Sequence, residues 1–279
     1  MIYIIIPVHN RIDKTIRCLD SIYSQSFENI SVVVVDDGSS DSTKEKVGNL
    51  YPETIILPGN GDLFWTGAVS FGINYVLNIC LESDWILLVN NDVQLKNDTI
   101  GKLVKFALNR NRKVMASAIS VNSLNRDVII KSGTKVKSWV LNITYHVLQG
   151  ESISKISSFD PIEVDLLTGR CLLHPVEMFK VIGNYNANLL PHYGGDDEFT
   201  ARAKLFGYKL FLLPSAIAHL DQDEVREVRK NIFQDLFGVK SSINIVNKWK
   251  FARSVVPFFA FPTYYGIAVM KSIFIHFRK

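Results

Sequence analysis

Two clusters of acidic and amide side chains follow apolar runs of this 279-residue chain. The run VVVV leads into Asp36 and Asp37, and the run WILLV leads into Asn90, Asn91 and Asp92. Open α/β sheets bind their ligands at the carboxyl ends of parallel strands. We therefore expect Asp37 to accept hydrogen bonds from a base or a ribose. Each cluster alone is also typical of a turn, because Asn and Asp bond their own backbone.

A carboxylate at a strand end suits a divalent cation. Mg²⁺ and Mn²⁺ take oxygen ligands and share them with substrate phosphates. Asp92 is the candidate ligand, because only it brings charge to the Asn-Asn-Asp segment. His219 ends the apolar run AIAHL and is either a structural histidine or a second metal ligand.

A further acidic cluster stands in the segment HYGGDDEF, where Asp196, Asp197 and Glu198 begin a predicted helix. Acids in a first turn complement the helix dipole and cap free N–H groups. The two glycines before them also favour a mobile or tightly approached loop. A carboxylate held there has the chemistry of a general base.

The first half of the chain alternates β-branched runs with amphipathic segments. We predict strands in YIIIPV, ISVVVVDD, TIILPG and WILLVNN, and helices in DKTIRCLDSIYSQS, GAVSFGINYVLNICLES and NDTIGKLVKFALNRN. β-Branched runs are typical of buried parallel strands, and the helical segments carry apolar faces. This order predicts a doubly wound, mostly parallel sheet.

The rhythm changes after residue 112. Strand-like segments follow one another in VMASAISV, DVIIKSG, WVLNITYHV and IEVDLLTGRCLLH, before the helix DDEFTARAKLFGY and the strand KLFLLPSAIAHL. We expect residues 1–112 and 113–222 to be two halves of one domain that share a continuous sheet. Residues 223–279 are predicted to form a helical tail.

The tail is basic and aromatic. Its apolar run before Lys271 is about 17 residues long and carries Pro257 and Pro262, whereas a membrane-spanning helix needs about 20 residues. Aromatic residues beside Lys and Arg favour a helix in the membrane interface. Packing on the body of the protein and a true span are the alternatives.

Composition bounds the class of protein. The chain is 47% hydrophobic and 21% charged, as globular proteins are, and its net charge of +4 gives no indication of a nucleic-acid partner. Cys18, Cys80 and Cys171 are far apart, which favours reduced thiols in the cytoplasm over a zinc site. The short opening run IYIIIPV predicts a strand and not a signal peptide.

Taken in order, the motifs resemble family 2 glycosyltransferases with the GT-A fold. The resemblance rests on IIIPVHN, VVDDGSSD, LLVNNDV, GGDDEFTARAKLFGYKL and LLPSAIAHL. GNGDLFWTGAVSFGINYV and LTGRCLLHPVEMFKVIGNYN resemble the rhamnosyltransferase-like branch of that family. The implied fold is α/β of GT-A type: a mostly parallel Rossmann-like sheet with helices on both faces, a mixed acceptor-side half and a helical C-terminal tail.

The resemblance implies transfer of a sugar, with inversion, from a UDP- or dTDP-linked donor to a hydroxyl of a saccharide or lipid-linked saccharide. Mg²⁺ or Mn²⁺ on Asp92 and His219 would assist, and Asp196 would be the base, with Asp197 as its competitor. Surface polysaccharide synthesis in bacteria, on the cytoplasmic face of the membrane, is the implied setting. The positions expected to contact donor or acceptor are Pro7, His9, Asp37, Trp65, Asn91 and Arg170.

Some of these assignments have alternatives. Trp65 would stack on a sugar or pack between helix and sheet, and Arg170 would meet a phosphate, meet the acceptor or lie on the surface. The metal motif of the family usually has more than one acid, which leaves a non-catalytic saccharide-binding or scaffold protein as an alternative. A sugar-phosphate nucleotidyltransferase would need an early glycine-rich loop, which IIIPVHNRID lacks.

Overall fold

The computed structural model describes residues 1–110, 112–125, 127–156, 159–221 and 231–278. Strands and helices alternate through the first part of the chain, as the β-branched runs predict. These elements are β1 (Ile2–Val8), α1 (Ile12–Tyr23), β2 (Ile30–Asp36), α2 (Thr43–Leu50), β3 (Ile55–Pro58), α3 (Phe64–Leu77), β4 (Trp85–Val89), β5 (Val93–Leu95) and α4 (Thr99–Leu108).

The later part of the chain contains more strands, followed by three helices. Its elements are β6 (Val114–Asn122), β7 (Gly133–Ser138), β8 (Ile143–His146), α5 (Ile153–Ile156), β9 (Ile162–Val164), β10 (Leu166–Leu167), β11 (Cys171–Pro175), α6 (Met178–Ile182), α7 (Gly195–Leu205), β12 (Lys209–Leu220), α8 (Ile232–Phe237), α9 (Ile245–Val255) and α10 (Phe261–Arg278). A 3₁₀ turn, Phe258–Ala260, precedes α10.

Both parts of the chain contribute to one sheet. Among the described residues it has nine strands in the order β3-β2-β1-β4-β11-β6-β12-β5, and β9 pairs with β12. β1, β2, β3 and β4 are parallel, as are β6 and β12, whereas β11 runs antiparallel between β4 and β6. A second, three-stranded sheet has the order β10-β7-β8.

The large sheet is covered on both faces. Successive strand side chains point to opposite faces, so on β1 Ile4 and Ile6 pack with the helices α1 and α4, whereas Tyr3 and Ile5 pack with α3, α6 and α7. This arrangement confirms the expected α/β fold with helices on both faces of a mostly parallel sheet. It also places the loops after β1, β2 and β4 at one edge.

The C-terminal helices pack on the body of the protein. Ala252 and Val255 of α9 lie in one buried cluster with Ala201 of α7 and Leu166 of β10. Pro262 stands in the first turn of α10, where a missing N–H breaks no helical hydrogen bond. The helical tail is therefore confirmed within the described residues, although the start of the predicted tail, 223–230, lies outside them.

Several details differ from the sequence prediction, and the short elements β5, α5 and α6 were not predicted. α2 was not identified, because it buries only Thr43 and Val47 and so has a weak apolar pattern. The segment 127–133 forms isolated bridges at Val128 and Ile129 and no continuous strand before β7 begins. The chain turns after Trp139, so β8 begins only at Ile143.

Candidate active site

The carboxylate of Asp37 organises the loop before α3. One oxygen, Oδ1, accepts the Gly61 N–H at 2.8 Å. The other, Oδ2, accepts the N–H groups of Leu63 and Phe64 at 3.0 and 3.1 Å. The side chain is 4% exposed. Asp37 thus joins the end of β2 to the start of α3 through three backbone hydrogen bonds, a role that sequence reasoning did not assign to it.

Glycines permit the close approach of these two loops. A Cβ on Gly59 would lie 2.7 Å from Asp37 Oδ1, and one on Gly38 would lie 3.0 Å from the backbone of Gly61. Gly38 also has a φ of +67°, which favours glycine. The turn residues Asp36–Gly38 are therefore packed directly against the loop that begins α3.

The segment after β1 lies beside the same turn. His9 Nδ1 is 2.6 Å from the backbone carbonyl oxygen of Asp37. Because a carbonyl only accepts, this contact requires the proton on Nδ1, and the other ring nitrogen of a neutral His9 is an acceptor. Pro7 is buried within β1, beside Val35 of β2. The sequence-predicted nucleotide residues Pro7, His9 and Asp37 are thus brought together.

The amides of Asn90 and Asn91 hold neighbouring elements in place. Asn90 Oδ1 accepts the indole N–H of Trp65 at 2.9 Å, and Asn91 Nδ2 donates to Thr15 Oγ1 at 3.1 Å. The Asn90 N–H donates to the carbonyl of Arg170 at 3.1 Å. The end of β4 is therefore tied to α1, to α3 and to the loop before β11.

Asp92 is the member of this segment with a carboxylate oxygen that accepts no hydrogen bond from the described residues. Its side chain is 23% exposed, and Oδ2 lies 4.0 Å from a guanidinium nitrogen of Arg11. Oδ1 is buried and accepts no hydrogen bond from the residues that the structure describes. Burial raises the pKa of Asp92, while the charges of Arg11, Arg170 and Lys14 oppose that rise.

The last strand brings His219 to the same edge. β12 pairs with β5, so that Leu220 lies opposite Val93, and the Asp221 N–H donates to the Asp92 carbonyl at 2.8 Å. A divalent cation fits these residues, because a buried carboxylate oxygen without a donor is costly. Among the described residues no group of three or more acids, histidines or cysteines could hold a metal. Phosphate or water oxygens would therefore complete the coordination.

Trp65 is fixed at the front of α3. A Cβ on Gly169 would lie 2.4 Å from the indole ring, so the loop before β11 passes directly over the ring. Tyr185 meets the indole edge-to-face at 6.0 Å. The ring is half-buried. Gly169, Tyr185 and the hydrogen bond to Asn90 together fix its position. Trp65 therefore joins the two halves of the site.

Asp196 lies where three elements converge. Its Oδ2 accepts the Gly169 N–H at 3.0 Å, and Oδ1 accepts the N–H of Asp197 at 2.9 Å. A Cβ on Gly195 would lie 2.3 Å from Thr66 Oγ1, so glycine allows the start of α7 to contact α3. Two backbone donors thus orient a half-buried carboxylate at the meeting point of α3, α7 and the loop before β11.

Asp197 and Glu198 have different surroundings. Burial, followed by the charge of Asp196, raises the pKa of Asp197 to about 6, against the opposing charges of Lys131 and Lys248. Glu198 is 3% exposed and forms a two-pronged pair with Arg202, at 2.9 and 3.1 Å. Glu198 is therefore a structural acid, whereas Asp197 lies beside the site.

Sequence reasoning missed the cations around Asp197. Lys131 precedes β7, Lys248 lies on α9, and both interact electrostatically with Asp197. Arg170, which was predicted, donates to the Lys131 carbonyl at 2.6 Å. The basic character of the tail was the available signal, but no local pattern indicates which lysine faces the site.

Comparisons with known proteins bear on the family and on the fold. The family model described as glycosyl transferase family 2 matches residues 3–156, more than half of the chain. An uncharacterised glycosyltransferase of Rickettsia typhi is 28% identical over 194 residues, which cover 68% of this chain and 54% of the relative. Glycosyltransferase GlyA of Streptococcus pneumoniae is 29% identical over 106 residues, which cover 37% of this chain and 14% of GlyA. The chain thus spans about half the length of the rickettsial relative.

Two solved structures share the fold. GalNAc-T7, crystallised with UDP, GalNAc and Mn²⁺, gives a TM-score of 0.62 at 15% identity, over 79% of this chain and 43% of that one. The mannosyltransferase PcManGT of Pyrobaculum calidifontis, in complex with GDP-Man and Mn²⁺, gives 0.55 at 17% identity, over 97% and 68%. These likenesses show a GT-A-like fold for this chain.

Proposed function

The chain belongs to glycosyl transferase family 2, and from this premise we propose that it transfers a sugar, with inversion, from a nucleotide-diphosphate sugar to a hydroxyl of a saccharide or lipid-linked saccharide. One observation carries the proposal. Asp92, with its unsatisfied buried oxygen, follows Asn90, whose N–H donates to the Arg170 carbonyl, and the adjacent Gly169 N–H helps to orient the Asp196 carboxylate. A diphosphate anchor and a base are the two groups that this chemistry needs.

The donor nucleotide would lie against the loops after β1 and β2. Pro7 and His9 border this surface, and Asp37 shapes it by holding residues 61–64. Both Asp37 oxygens already accept backbone hydrogen bonds, but a carboxylate has about four lone-pair positions, so a base or ribose donor can still be added. We propose UDP- or dTDP-linked donors, as the sequence resemblance implies.

A divalent ion, Mg²⁺ or Mn²⁺, would be held by Asp92 and His219. When bound, it would offset the charge that develops on the leaving diphosphate. The two structural neighbours were solved with Mn²⁺, which supports a divalent metal in the proposed reaction. Arg11 and Arg170 place further positive charge near Asp92, so the diphosphate would also be attracted by the chain itself.

Asp196 would act as the general base. Its orientation by Gly169 and Asp197 leaves the carboxylate lone pairs that the backbone does not use for an acceptor hydroxyl. General-base assistance of this kind is worth about 10²–10⁴ in rate. The Trp65 ring and Arg170 would border the sugar and a phosphate, respectively. The two segments that resemble the rhamnosyltransferase-like branch, 59–76 and 167–186, contact each other here, and we propose that branch on their sequence resemblance.

The C-terminal helices support a peripheral contact with the inner face of the membrane, in surface polysaccharide synthesis. Phe258 and Phe259 are 91% and 77% exposed, whereas Ala268 and Ser272 of α10 are buried. Among the described residues, 258–278 is one stretch long and apolar enough to cross a membrane. An apolar face opposite a packed face suits an interfacial helix.

The fraction of protein that sediments with phosphatidylglycerol vesicles should be smaller for the double variant Phe258→Ser/Phe259→Ser than for the wild type. An unchanged fraction would contradict interfacial attachment.

The function is tested by the release of nucleoside diphosphate from a panel of UDP-, dTDP- and GDP-linked sugars with Mn²⁺. We expect slow release from one donor without acceptor, faster release with acceptor, and none in excess EDTA. Release that persists in EDTA would contradict the metal role of Asp92. No release from any donor by folded protein would support the non-catalytic saccharide-binding alternative.

A further inference from the structure

Two cations, Lys131 and Lys248, lie near Asp197, and each has a further cation beside it, namely Arg170 and Lys271. We call Lys131, Arg170, Lys248 and Lys271 the basic cluster. Arg170 donates to the Lys131 carbonyl at 2.6 Å, which links the segment before β7 to the loop before β11. The positive charges of Lys131 and Lys271 both lower the pKa of Lys248. The cluster therefore lies on the side of Asp197 that faces the C-terminal helices.

The packing of α9 determines where Lys248 lies. Lys248, Ala252 and Val255 are spaced i, i+4 and i+7, so they share one face of the helix. Ala252 and Val255 are buried in the cluster that contains Ala201 of α7. The hydroxyl of Ser254 also donates to Glu198 Oε1 at 2.8 Å. Packing thus holds Lys248 toward the start of α7.

The helix α10 is held in the same way. Lys271 Nζ donates to the Asn142 carbonyl at 2.5 Å, and Asn142 Nδ2 donates to the Tyr264 carbonyl at 3.5 Å. The Tyr264 ring packs against Trp139 at 5.8 Å. These contacts place the polar side of α10 next to the cluster. On either side of Lys271 in sequence, the helix exposes large apolar side chains, namely Met270, Phe274 and Phe277.

The lysines of the basic cluster have few negatively charged partners. In the part of the chain that the structure describes, the side-chain nitrogens of Lys131 and Lys248 form no hydrogen bond and no ion pair within 4.0 Å. Both side chains are half-buried. Burial and the neighbouring lysines lower the pKa of Lys248, and Asp197 is the acid that opposes this. Half-buried ammonium groups without an acceptor are costly, and a bound anion would remove that cost.

We propose that the basic cluster binds a phosphate or diphosphate group on the acceptor, whose apolar chain lies along the exposed face of α10. The inference rests on the proposed function, because it identifies the acceptor as a lipid-linked saccharide. Phosphate suits the cluster because Arg170 offers paired donors and the lysines offer point charges. The sugar attached to that phosphate would lie next to Asp196 and Asp197.

The test is the binding of three probes to the full chain in EDTA, which removes metal-assisted binding near Asp92. Farnesyl diphosphate carries both features, farnesol has only the apolar chain, and inorganic pyrophosphate has only the charge. Calorimetry should give a Kd for farnesyl diphosphate at least tenfold below either other probe. Lys131→Met and Lys248→Met should each weaken its binding about tenfold, and Lys248→Arg should restore it.

Lys250→Met is the matched control, because Lys250 lies on α9 but donates to the Asn188 carbonyl, away from the cluster. It should bind farnesyl diphosphate as the wild type does. Equal binding by Lys248→Met and Lys250→Met, or equal binding of farnesol, overturns the proposal. If pyrophosphate binds as tightly as farnesyl diphosphate, the proposal that the phosphate is carried by a lipid is overturned. Nucleotide-sugar binding is measured separately with Mn²⁺, so a failed donor site is distinguishable from a failed basic cluster.

Discussion

The two sides of the site are held by different kinds of contact. On the donor side, the Asp37 carboxylate fixes a neighbouring loop through three backbone N–H groups, and His9 bonds a backbone carbonyl. On the acceptor side, side chains of the C-terminal helices bond to distant segments, as Ser254 does to Glu198 and Lys271 to the Asn142 carbonyl. The donor surface is thus a property of the sheet edge, whereas the acceptor surface requires that α9 and α10 be docked.

This difference suggests a division of labour. On the donor side, the single buried carboxylate of Asp37 fixes the loop through three backbone N–H groups, which suits a donor surface of constant shape. The acceptor side relies on charges such as Lys131 and Lys248, which single substitutions can change without altering the backbone. We therefore expect substitutions on the acceptor side to alter acceptor use first, and substitutions on the donor side to alter nucleotide binding and stability first.

The largest effect is expected at Asp196. Asp196→Asn keeps the side-chain shape but removes the base, so the transfer rate should fall by about 10²–10⁴. Nucleotide-sugar binding should be unchanged, because the donor contacts lie on the other side of the site. Initial rates and calorimetry on the same samples measure both. Asp197→Asn is the matched control and should keep most of the turnover; the reverse pattern would move the base to Asp197.

A smaller loss is expected at Asp92. Asp92→Asn removes the charge that would hold the metal, and the rate should fall by about 10²-fold, equivalent to about 3 kcal/mol. The Mn²⁺ concentration for half-maximal rate should rise as well. Metal titration of the rate provides the measurement. A normal rate with normal Mn²⁺ dependence would contradict the proposal that Asp92 binds the metal.

The third prediction concerns stability and compares the two sides directly. Asp37→Ala removes a charged acceptor from three N–H groups and should lower the free energy of unfolding by about 2–3 kcal/mol. Ser254→Ala removes one hydroxyl from Glu198 and should cost about 1 kcal/mol. Urea titrations measure both changes. An equal or larger loss for Ser254→Ala would reverse the comparison.

The smallest effect is expected at Asp197. Its pKa of about 6 in the fold exceeds the ordinary 3.8, so the folded chain binds this proton more readily than the unfolded chain between those values. Ionised Asp197 therefore lowers stability above pH 6, and the cost disappears as the pH falls toward 3.8. Asp197→Asn should stabilise the fold at pH 7.5 by about 1 kcal/mol, a value reduced by solvent screening.

Urea titrations at pH 7.5 and 4.5 check this prediction. The difference between Asp197→Asn and wild type should shrink at the lower pH. A destabilised variant at pH 7.5 would mean that Lys131 and Lys248 favour the ionised form more strongly than burial opposes it.

The fold of the first half was predictable because its signals are local. β-Branched runs and apolar helical faces identify β1 to β4 with α1, α3 and α4. α2 was not predicted because few of its residues are buried. The segment before β7 was predicted wrongly because an apolar run does not show whether a partner strand is present. The packing of α9 and α10 depends on contacts between distant residues, which no local pattern contains.

The same distinction applies to the site. Asp37, Asp92 and Asp196 follow from their places at strand and helix ends, and their roles as donor, metal and base residues stay predictions. Sequence could not show that both Asp37 oxygens are used by residues 61–64, because that depends on how two loops approach. Nor could it indicate that Lys248 faces Asp197, since the helix that carries it is far along the chain.

The central claim is that the strand-end carboxylate Asp92 joins a divalent ion to a donor diphosphate. The most direct measurement is the melting temperature of the wild type and of Asp92→Asn with each nucleotide sugar, with and without Mn²⁺. A ligand that binds only the folded state must raise the melting temperature. We predict a Mn²⁺-dependent rise with one nucleotide for the wild type, and none for Asp92→Asn. Equal rises for both proteins, or no rise with any donor, would contradict the claim.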